Sequence, residues 1–213
     1  MFKAVVFDLD GTLVCALPAY RHRTVGSTLK ELGVKPKIVA EHFVDKFWFE
    51  ENRDEIIVTY LGIEPGEFWK VFRKYDLPEV RSKFIRKYED VSFVQELKKK
   101  GYRTGIVTGS PECIASMEIE ILGKENFDVI IVANPEIKPK PDPHGLEVCL
   151  DKLKVPFAAT IYVDNSTGGI LAAKEVGMYD VLIDRKEYCF DSKKLKPSLI
   201  VDSLYDLKTI LKL

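Results

Sequence analysis

The sequence is poor in cysteine and histidine, and neither residue type is spaced for a metal or dithiol site. Its four cysteines form no CxxC pair, and its three histidines are scattered along the chain. The usual sequence signs of a zinc centre or a redox pair are therefore missing. Unpaired cysteines favour a reducing, cytoplasmic setting.

The sequence also lacks long apolar runs and an excess of either charge. No run is long enough to span a bilayer, and the opening Met1–Val14 is broken by Lys3, Asp8 and Asp10, unlike a secretory signal. Lys and Arg total 32 against 33 Asp and Glu, so the net charge is -1. We therefore expect neither a nucleic acid nor a membrane as a partner. The oligomeric state stays open.

What the sequence does contain is a series of short apolar runs, each ending at a polar residue. These predicted strands are Ala4–Phe7, Arg103–Val107, Val129–Val132, Thr160–Val163 and Val181–Ile183. Predicted helices follow or separate them at Phe93–Lys100, Pro111–Leu122, Pro143–Leu153, Ile170–Val176 and Leu204–Leu211. Alternation of near-continuous apolar strands with helices predicts an α/β fold with a parallel sheet covered by helices on both faces.

One segment, residues 17–88, breaks this alternation. It shows no clear strand pattern and is rich in aromatic residues, namely Phe43, Phe47, Trp48, Phe49, Tyr60, Phe68, Trp69 and Phe72. Aromatic pairs spaced four residues apart indicate helix faces that pack on one another. The sequence therefore predicts two domains. Residues 1–16 and 89–213 form the α/β domain, and 17–88 form a helical domain inserted after the first strand.

Polar residues at four predicted strand ends are the candidates for chemistry. They are Asp8 with Asp10, Thr108 with Ser110, the segment around Lys138, and Asp164 with Asn165. Ligands of an open parallel sheet bind beyond the carboxyl ends of its strands, so these groups are expected to converge. Acids, a hydroxyl and a cation together suit a divalent metal and a phosphate.

Asp8 and Asp10 suit covalent phosphoryl transfer, although Asp10-Gly11-Thr12 taken alone is equally typical of a simple turn. An ionised carboxylate attacks phosphorus without a separate base, which would form an aspartyl-phosphate. A second acid two residues later would protonate the leaving alcohol and then deprotonate the attacking water. Gly11 permits the turn between them and the following chain.

The remaining candidates would hold the phosphate and the metal. Ser110 is the predicted N-cap of a helix that begins at Pro111, and free backbone amides at such a helix start, with Gly109 before it, favour an anion. In Lys138-Pro139-Lys140-Pro141-Asp142-Pro143, the prolines stiffen the approach of a lysine, and Lys138 and Lys140 compete for the role. Asp164 would join Asp8 in binding Mg²⁺, although an Asp at that position also commonly caps a helix.

These motifs resemble those of the haloacid dehalogenase-like hydrolases. Asp8-Leu9-Asp10-Gly11-Thr12 matches the family's DxDGT nucleophile loop, and Thr108 matches its second motif. Lys138 matches the lysine of its KPxPD motif, and Asp164 matches the first acid of its fourth motif. All four occur in the family's order over essentially the whole chain.

The resemblance implies a Rossmann-like core and a role for each matched residue. Asp8 would be the nucleophile and a ligand of Mg²⁺, and Asp10 would be the general acid and base with its carbonyl on the metal. Thr108, Gly109 and Lys138 would hold the phosphoryl group, and Asp164 would complete the metal site. The inserted domain would be the family's helical cap. The expected reaction is hydrolysis of a small phosphorylated metabolite, of the phosphoglycolate type.

The sequence departs from the family's pattern at three positions, and several alternative functions stay open. Asn165 and Gly168 stand where relatives often carry a further acid, and Cys15 replaces a common Asp. A sugar-phosphate mutase shares all four motifs, and a receiver-type or non-catalytic phosphate-binding module is a third possibility. A haloacid dehalogenase proper is disfavoured, because its chemistry needs no second acid such as Asp10.

Overall fold

The computed structural model describes residues 1–34, 41–50, 52–187, 192–211 and 213, without the side chains of residues 41, 42, 192 and 193. The chain forms two compact units. Met1–Cys15 and Lys87–Leu213 make up the first, called the core unit here, and Ala16–Arg86 make up the inserted unit. The boundaries therefore lie after residues 15 and 86, close to the predicted boundaries after 16 and 88.

Eight strands and eleven α-helices are present in the described parts of the chain. The strands are β1 (Ala4–Phe7), β2 (Val14–Ala16), β3 (Ile85–Lys87), β4 (Arg103–Pro111), β5 (Val129–Ala133), β6 (Thr160–Asp164), β7 (Tyr179–Ile183) and β8 (Leu199–Val201). The helices are α1 (Pro18–Glu31), α2 (Glu41–Phe49), α3 (Arg53–Ile56), α4 (Pro65–Phe72), α5 (Pro78–Arg81), α6 (Ser92–Lys99), α7 (Glu112–Leu122), α8 (His144–Leu153), α9 (Thr167–Glu175), α10 (Ser192–Leu195) and α11 (Lys208–Leu211). A π-helical turn spans Ile57–Leu61, and 3₁₀ turns span Glu89–Val91, Lys124–Asn126, Phe157–Ala159 and Leu204–Leu207. None of the helices in these ranges is long and apolar enough to cross a bilayer.

Six strands of the core unit form a parallel sheet in the order β5-β4-β1-β6-β7-β8. All four residues of β1 are fully buried, because helices cover both faces of a sheet built by strand–helix crossovers. The chain leaves β1 toward β4 and β5 and later returns to its other side through β6. This reversal creates a topological switch point beside β1, where doubly wound sheets bind their ligands. The predicted fold class is confirmed.

The structure corrects several predicted elements. β4 continues through Thr108 to Pro111, so the next helix begins at Glu112 and not at Pro111. β8, β2 and β3 were not predicted, because each is only three residues long and carries little periodic signal.

Aromatic side chains form the core of the inserted unit. Phe47, Phe68 and Phe72 are buried in one cluster with Val25 and Leu29 of α1, and Phe43, Trp48 and Trp69 pack against it. Tyr60 is the one predicted core aromatic that is exposed, with 69% of its surface open to solvent, and Phe49 is half-buried outside this cluster. Tyr60 lies in the π-helical turn, whose outer face points to solvent.

A buried ion pair ties three segments of the core unit together. Arg185 donates to both carboxylate oxygens of Asp90, at 2.8 and 3.0 Å, and to the carbonyl of Thr12 at 2.7 Å. Both charged side chains are less than a tenth exposed. The guanidinium also stacks on Tyr88, with 4.0 Å between its carbon and the ring centroid. Arg185 therefore fixes the loop after β1 to the segment that re-enters the core unit.

Removing the charge of Asp90 should destabilise the core unit. Asp90→Asn would leave the Arg185 guanidinium buried without its counter-ion, and we expect a loss of about 3 kcal/mol in the free energy of unfolding at pH 7. Urea denaturation measures this loss. The control is Asp202→Asn, which breaks an ion pair with Lys186 whose two side chains are each about two thirds exposed. For this variant we expect a loss of less than about 1 kcal/mol in the free energy of unfolding. Equal losses in the two variants would contradict the assigned importance of the buried pair.

The same pair predicts a pH dependence of stability. Burial alone would raise the pKa of Asp90, but hydrogen bonds from Arg185 and from the backbone N–H of Leu204 hold that pKa below its ordinary value. A lowered folded-state pKa adds stability that is complete above the unfolded value of about 3.9 and is lost as pH falls through the folded value. We expect Asp90→Asn to remove this part of the acid sensitivity, which urea denaturation between neutral and acidic pH would measure.

Candidate active site

Asp8 lies at the switch point of the sheet, directly after the last residue of β1. Its backbone N–H donates to the carbonyl of Val163 in β6 at 2.9 Å, which continues the β1–β6 pairing by one residue. Because Phe7 is in register with Val163, the next residues of the two strands, Asp8 and Asp164, reach the sheet edge at the same level. Asp8 is 7% exposed.

The ammonium of Lys140 lies between these two acids. Its Nζ is 2.6 Å from Oδ1 of Asp8, 2.8 Å from Oδ2 of Asp164 and 3.0 Å from the hydroxyl of Tyr162. The three N–H groups of an ammonium are thus matched by three acceptors. Two neighbouring buried carboxylates repel each other, and one shared cation offsets that repulsion.

Burial and sharing of the cation shift the pKa values of this cluster. Burial raises the pKa of Asp8 to about 7, with Lys140 acting against this shift and Asp164 adding to it. For Lys140, burial acts to lower the pKa, but the attraction of Asp164 and Asp8 outweighs it and raises the pKa well above its ordinary value. Lys140 therefore stays protonated, and one positive charge serves two carboxylates. Asp8 therefore depends on this cation to be ionised at neutral pH, and a further cation nearby would lower its pKa again.

Asp164 is fully buried and its carboxylate is held on all sides. Oδ1 accepts from the N–H and the hydroxyl of Ser166, both at 2.7 Å, and Oδ2 accepts from Tyr162 at 2.7 Å as well as from Lys140. Ser166, rather than Asp164, caps α9 by accepting from the N–H of Gly169. A side chain at Gly169 would collide with this carboxylate, because an added Cβ would lie 1.9 Å from Oδ2 of Asp164.

Asp10 and the end of β4 form a second set of contacts. Gly11 follows Asp10 with a φ of 78°, a left-handed conformation that favours glycine. The carboxylate of Asp10 accepts from the hydroxyl of Ser110 at 2.8 Å, and the N–H of Ser110 donates to Oγ1 of Thr108 at 3.1 Å. Ser110 therefore holds an acid instead of capping a helix as predicted.

The structure separates the two competing lysines. Lys138 has a side chain that is 70% exposed and pairs with Asp142 at 3.4 Å, whereas Lys140 is in the acidic cluster. The predicted place of Lys138 beside Asp8 is thus taken by Lys140. The physical reason is that the proline-rich segment does not itself determine which of its two lysine side chains points toward the strand ends.

Thr108 and Gly109 share a cavity with Lys140. The cavity measures about 70 Å³, and Val107, Ala133, Ile137 and Lys138 also line it. Thr108 is buried in this cavity wall, whereas the next residue, Gly109, is exposed. A small anionic group placed there would meet a hydroxyl and an ammonium.

The fourth motif differs from an acidic pair in a defined way. Asn165 is buried, and its Oδ1 accepts from the hydroxyl of Thr12 at 3.4 Å. Its Nδ2 is also buried and has no hydrogen-bond partner among the residues that the structure describes. The site thus contains one buried hydrogen-bond donor, Nδ2 of Asn165, that its described protein neighbours leave without an acceptor.

Sequence reasoning missed one residue that touches this site. Tyr162 precedes Asp164 by two residues on a strand, and alternation places both side chains on one face, so strand periodicity was a usable signal. Ser110 was among the sequence candidates, but its contact with Asp10 carried no such signal, because a Ser–Pro pair is typical of a helix start.

These features define an α/β protein with a buried carboxylate, a shared lysine and a second acid at the switch point of its sheet. The chain belongs to the haloacid dehalogenase-like hydrolase family, whose model matches residues 5–183. The predictions of family, fold class and enzyme class, a phosphatase-type hydrolase, are confirmed.

Three known proteins illustrate the similarity. A phosphoglycolate phosphatase of Xanthomonas campestris pv. campestris is 28% identical, with 84% of this chain and 81% of that protein covered. The pyrophosphatase PpaX of Bacillus velezensis is 27% identical, with 82% and 79% covered. The crystal structure of a haloacid dehalogenase-like phosphatase from Thermococcus onnurineus has a TM-score of 0.74, at 24% identity, over 99% of this chain and 98% of that chain, and it supports the fold alone.

Replacing Lys140 should damage the site, and replacing Lys138 should not. Lys140→Met leaves Asp8 and Asp164 without their cation, so we expect phosphatase activity to fall at least ~100-fold and the free energy of unfolding to fall by about 3 kcal/mol. Phosphate release and urea denaturation measure the two effects. Lys138→Met is the control, with activity within about twofold of wild type because its ion pair is exposed. The reverse pattern would restore the sequence-based assignment.

The two glycines at the start of α9 make a matched pair for testing the fit of Asp164. Gly169→Ala drives a methyl group into the Asp164 carboxylate, and we expect overpacking to cost about 1–3 kcal/mol and activity to fall. Gly168→Ala meets no atom closer than 3.8 Å, so we expect unchanged or slightly raised stability, as is usual for Gly→Ala in a helix. Unfolding and phosphate-release assays on both variants distinguish these outcomes, and equal behaviour would refute the steric argument.

Proposed function

We propose that the protein hydrolyses small phosphate monoesters through an aspartyl-phosphate on Asp8. The observation that carries this proposal is the Asp8 carboxylate, held by Lys140 at the switch point with a second acid two residues later. A nucleophile that is itself anionic needs cations at the site to approach an anionic ester, and Lys140 supplies one.

Two displacements complete the proposed reaction. First, an oxygen of Asp8 forms a bond to phosphorus while the ester P–O bond breaks and Asp10 gives its proton to the leaving oxygen. Second, a water attacks the phosphorus, Asp10 takes a proton from that water, and the bond between Asp8 and phosphorus breaks. Inorganic phosphate leaves and both acids return to their starting states.

Three groups would hold the phosphoryl oxygens during these steps. Thr108 would donate through its hydroxyl, Gly109 through its backbone N–H and Lys140 through its ammonium. Their shared cavity supports this assignment. Lys140 takes the role that the sequence motif suggested for Lys138.

The residues also fit a magnesium ion, which would supply further positive charge. Asp8, Asp164 and the backbone carbonyl of Asp10 offer the oxygen ligands that Mg²⁺ prefers. The carboxylate of Asp164 already accepts four hydrogen bonds, so a metal would compete with Lys140 for it.

The substrate class is a small phosphorylated metabolite. Relatives named for phosphoglycolate and pyrophosphate hydrolysis support a small anionic substrate, and the net charge of -1 offers no attraction to nucleic acid or anionic membrane. We propose that the inserted unit acts as a cap that selects among such substrates. A cytoplasmic location is part of the proposal and agrees with the free thiols of Cys113 and Cys149. Cys189 lies outside the described residues.

The decisive experiment is phosphate release across a panel of phosphorylated metabolites and an aryl phosphate, with Mg²⁺ and with EDTA. We expect release that requires Mg²⁺ and is abolished in Asp8→Asn, which keeps the shape of the side chain but not its nucleophile. Full activity of Asp8→Asn would reject the nucleophile, and full activity in EDTA would reject the metal.

Asp10→Asn separates the two steps. An aryl leaving group needs little protonation, so the first step should continue while the second, which lacks its base, slows by roughly 100-fold or more. We expect the variant to accumulate one covalent phosphoryl group per chain, detectable as a mass increase of the intact protein. The double variant Asp8→Asn with Asp10→Asn is the control, and an unmodified single variant that has lost activity would contradict the role of Asp10 in the second step.

A further inference from the structure

A buried tyrosine hydroxyl lies within the acidic cluster, and the proposed reaction does not use it. Tyr162 is in the middle of β6, and no part of it is exposed. Its ring packs in the core cluster with Val6, Val107 and Leu146, and only its hydroxyl reaches the polar groups at the sheet edge.

The hydroxyl connects the lysine with one of its two carboxylates. It accepts from Nζ of Lys140 at 3.0 Å and donates to Oδ2 of Asp164 at 2.7 Å. The carbonyl of Val107 in β4 is 3.5 Å away on the other side. Since Lys140 also donates directly to Asp164, the three polar groups close a ring of hydrogen bonds.

The tyrosine is the rigid member of this ring. A lysine side chain has four rotatable bonds and loses much conformational freedom when it is held in one position. A packed tyrosine ring has only two, and its surroundings in the core prevent rotation. We infer that Tyr162 is a positioning residue that fixes the ammonium of Lys140 where the Asp8 carboxylate and a phosphoryl group need it.

This inference rests on the proposed phosphatase function for its effect on rate, but its effect on Lys140 is independent of any reaction. Tyr162→Phe keeps the ring in the core and removes one acceptor of Lys140 and one donor to Asp164. The ammonium keeps its two carboxylates, so it remains charged but is less fixed in direction.

The kinetic test compares Tyr162→Phe with Tyr102→Phe. Tyr102 is the matched control, because its hydroxyl also makes a hydrogen bond, to the carbonyl of Leu211 at 2.9 Å, but away from the acidic cluster. We expect Tyr162→Phe to lower kcat about tenfold with KM changed less than about threefold, since a less precisely placed ammonium stabilises the transition state less while the bound substrate keeps its other contacts. Tyr102→Phe should keep wild-type kinetics. An unchanged kcat in Tyr162→Phe, at any KM, overturns the inference.

Chemical labelling of lysines provides the readout that does not need activity. An amine-acylating reagent, followed by peptide mass spectrometry, compares Lys140 with the exposed Lys138 two residues earlier, which serves as an internal reference. In the wild-type protein Lys140 should label far more slowly than Lys138. In Tyr162→Phe the ratio of Lys140 to Lys138 labelling should rise severalfold, because a less fixed ammonium leaves the carboxylates more often, and away from them it can lose its proton and react. An unchanged ratio overturns the inference. Wild-type protein without phosphate release would instead reject the proposed function, and the labelling ratio would still decide whether Tyr162 holds Lys140.

Discussion

The contact on which this site depends is the ammonium of Lys140 between the carboxylates of Asp8 and Asp164. Two acids buried side by side each lose hydration and repel one another, and a cation between them offsets both costs. The shared lysine makes a charged carboxylate possible in a buried position. Because one positive charge serves two carboxylates, the negative charge of Asp8 is only partly compensated, and binding of a second cation at the site would be favourable.

The parallel sheet brings these charges together. β1 and β6 run side by side in register, so the residues that follow their last apolar positions, Asp8 and Asp164, stand next to each other. The lysine comes from a third segment, before α8, and reaches across the strand ends. Gly169 and Ser166 at the start of α9 complete the arrangement, since one leaves room for the Asp164 carboxylate and the other donates to it. The reactive edge is therefore supported by the same strands and helix ends that build the core.

Sequence patterns predicted most of the core unit because its strands are short, buried apolar runs that end in polar residues. β1, β6 and β7 have near-uniform burial, and this produces a clear signal in one sequence. The errors occurred where the local signal was ambiguous. β4 runs four residues beyond its apolar part to Pro111, and Ser110, which resembles a helix cap, binds Asp10 instead. Tyr60 looked like a core aromatic because periodicity alone does not show which face of a turn meets solvent.

The sequence by itself determined which kinds of groups reach the active edge: the acids after β1, the hydroxyl after Val107, a lysine in the proline-rich segment and an acid after β6. These follow from local rules, since a strand ends where its apolar run ends. Only the tertiary structure decided that Lys140, and not Lys138, meets Asp8, and that Tyr162 and Gly169 shape the surroundings of Asp164. The reason is physical: the direction of a side chain and the space around it depend on neighbours from distant segments, which local sequence does not specify.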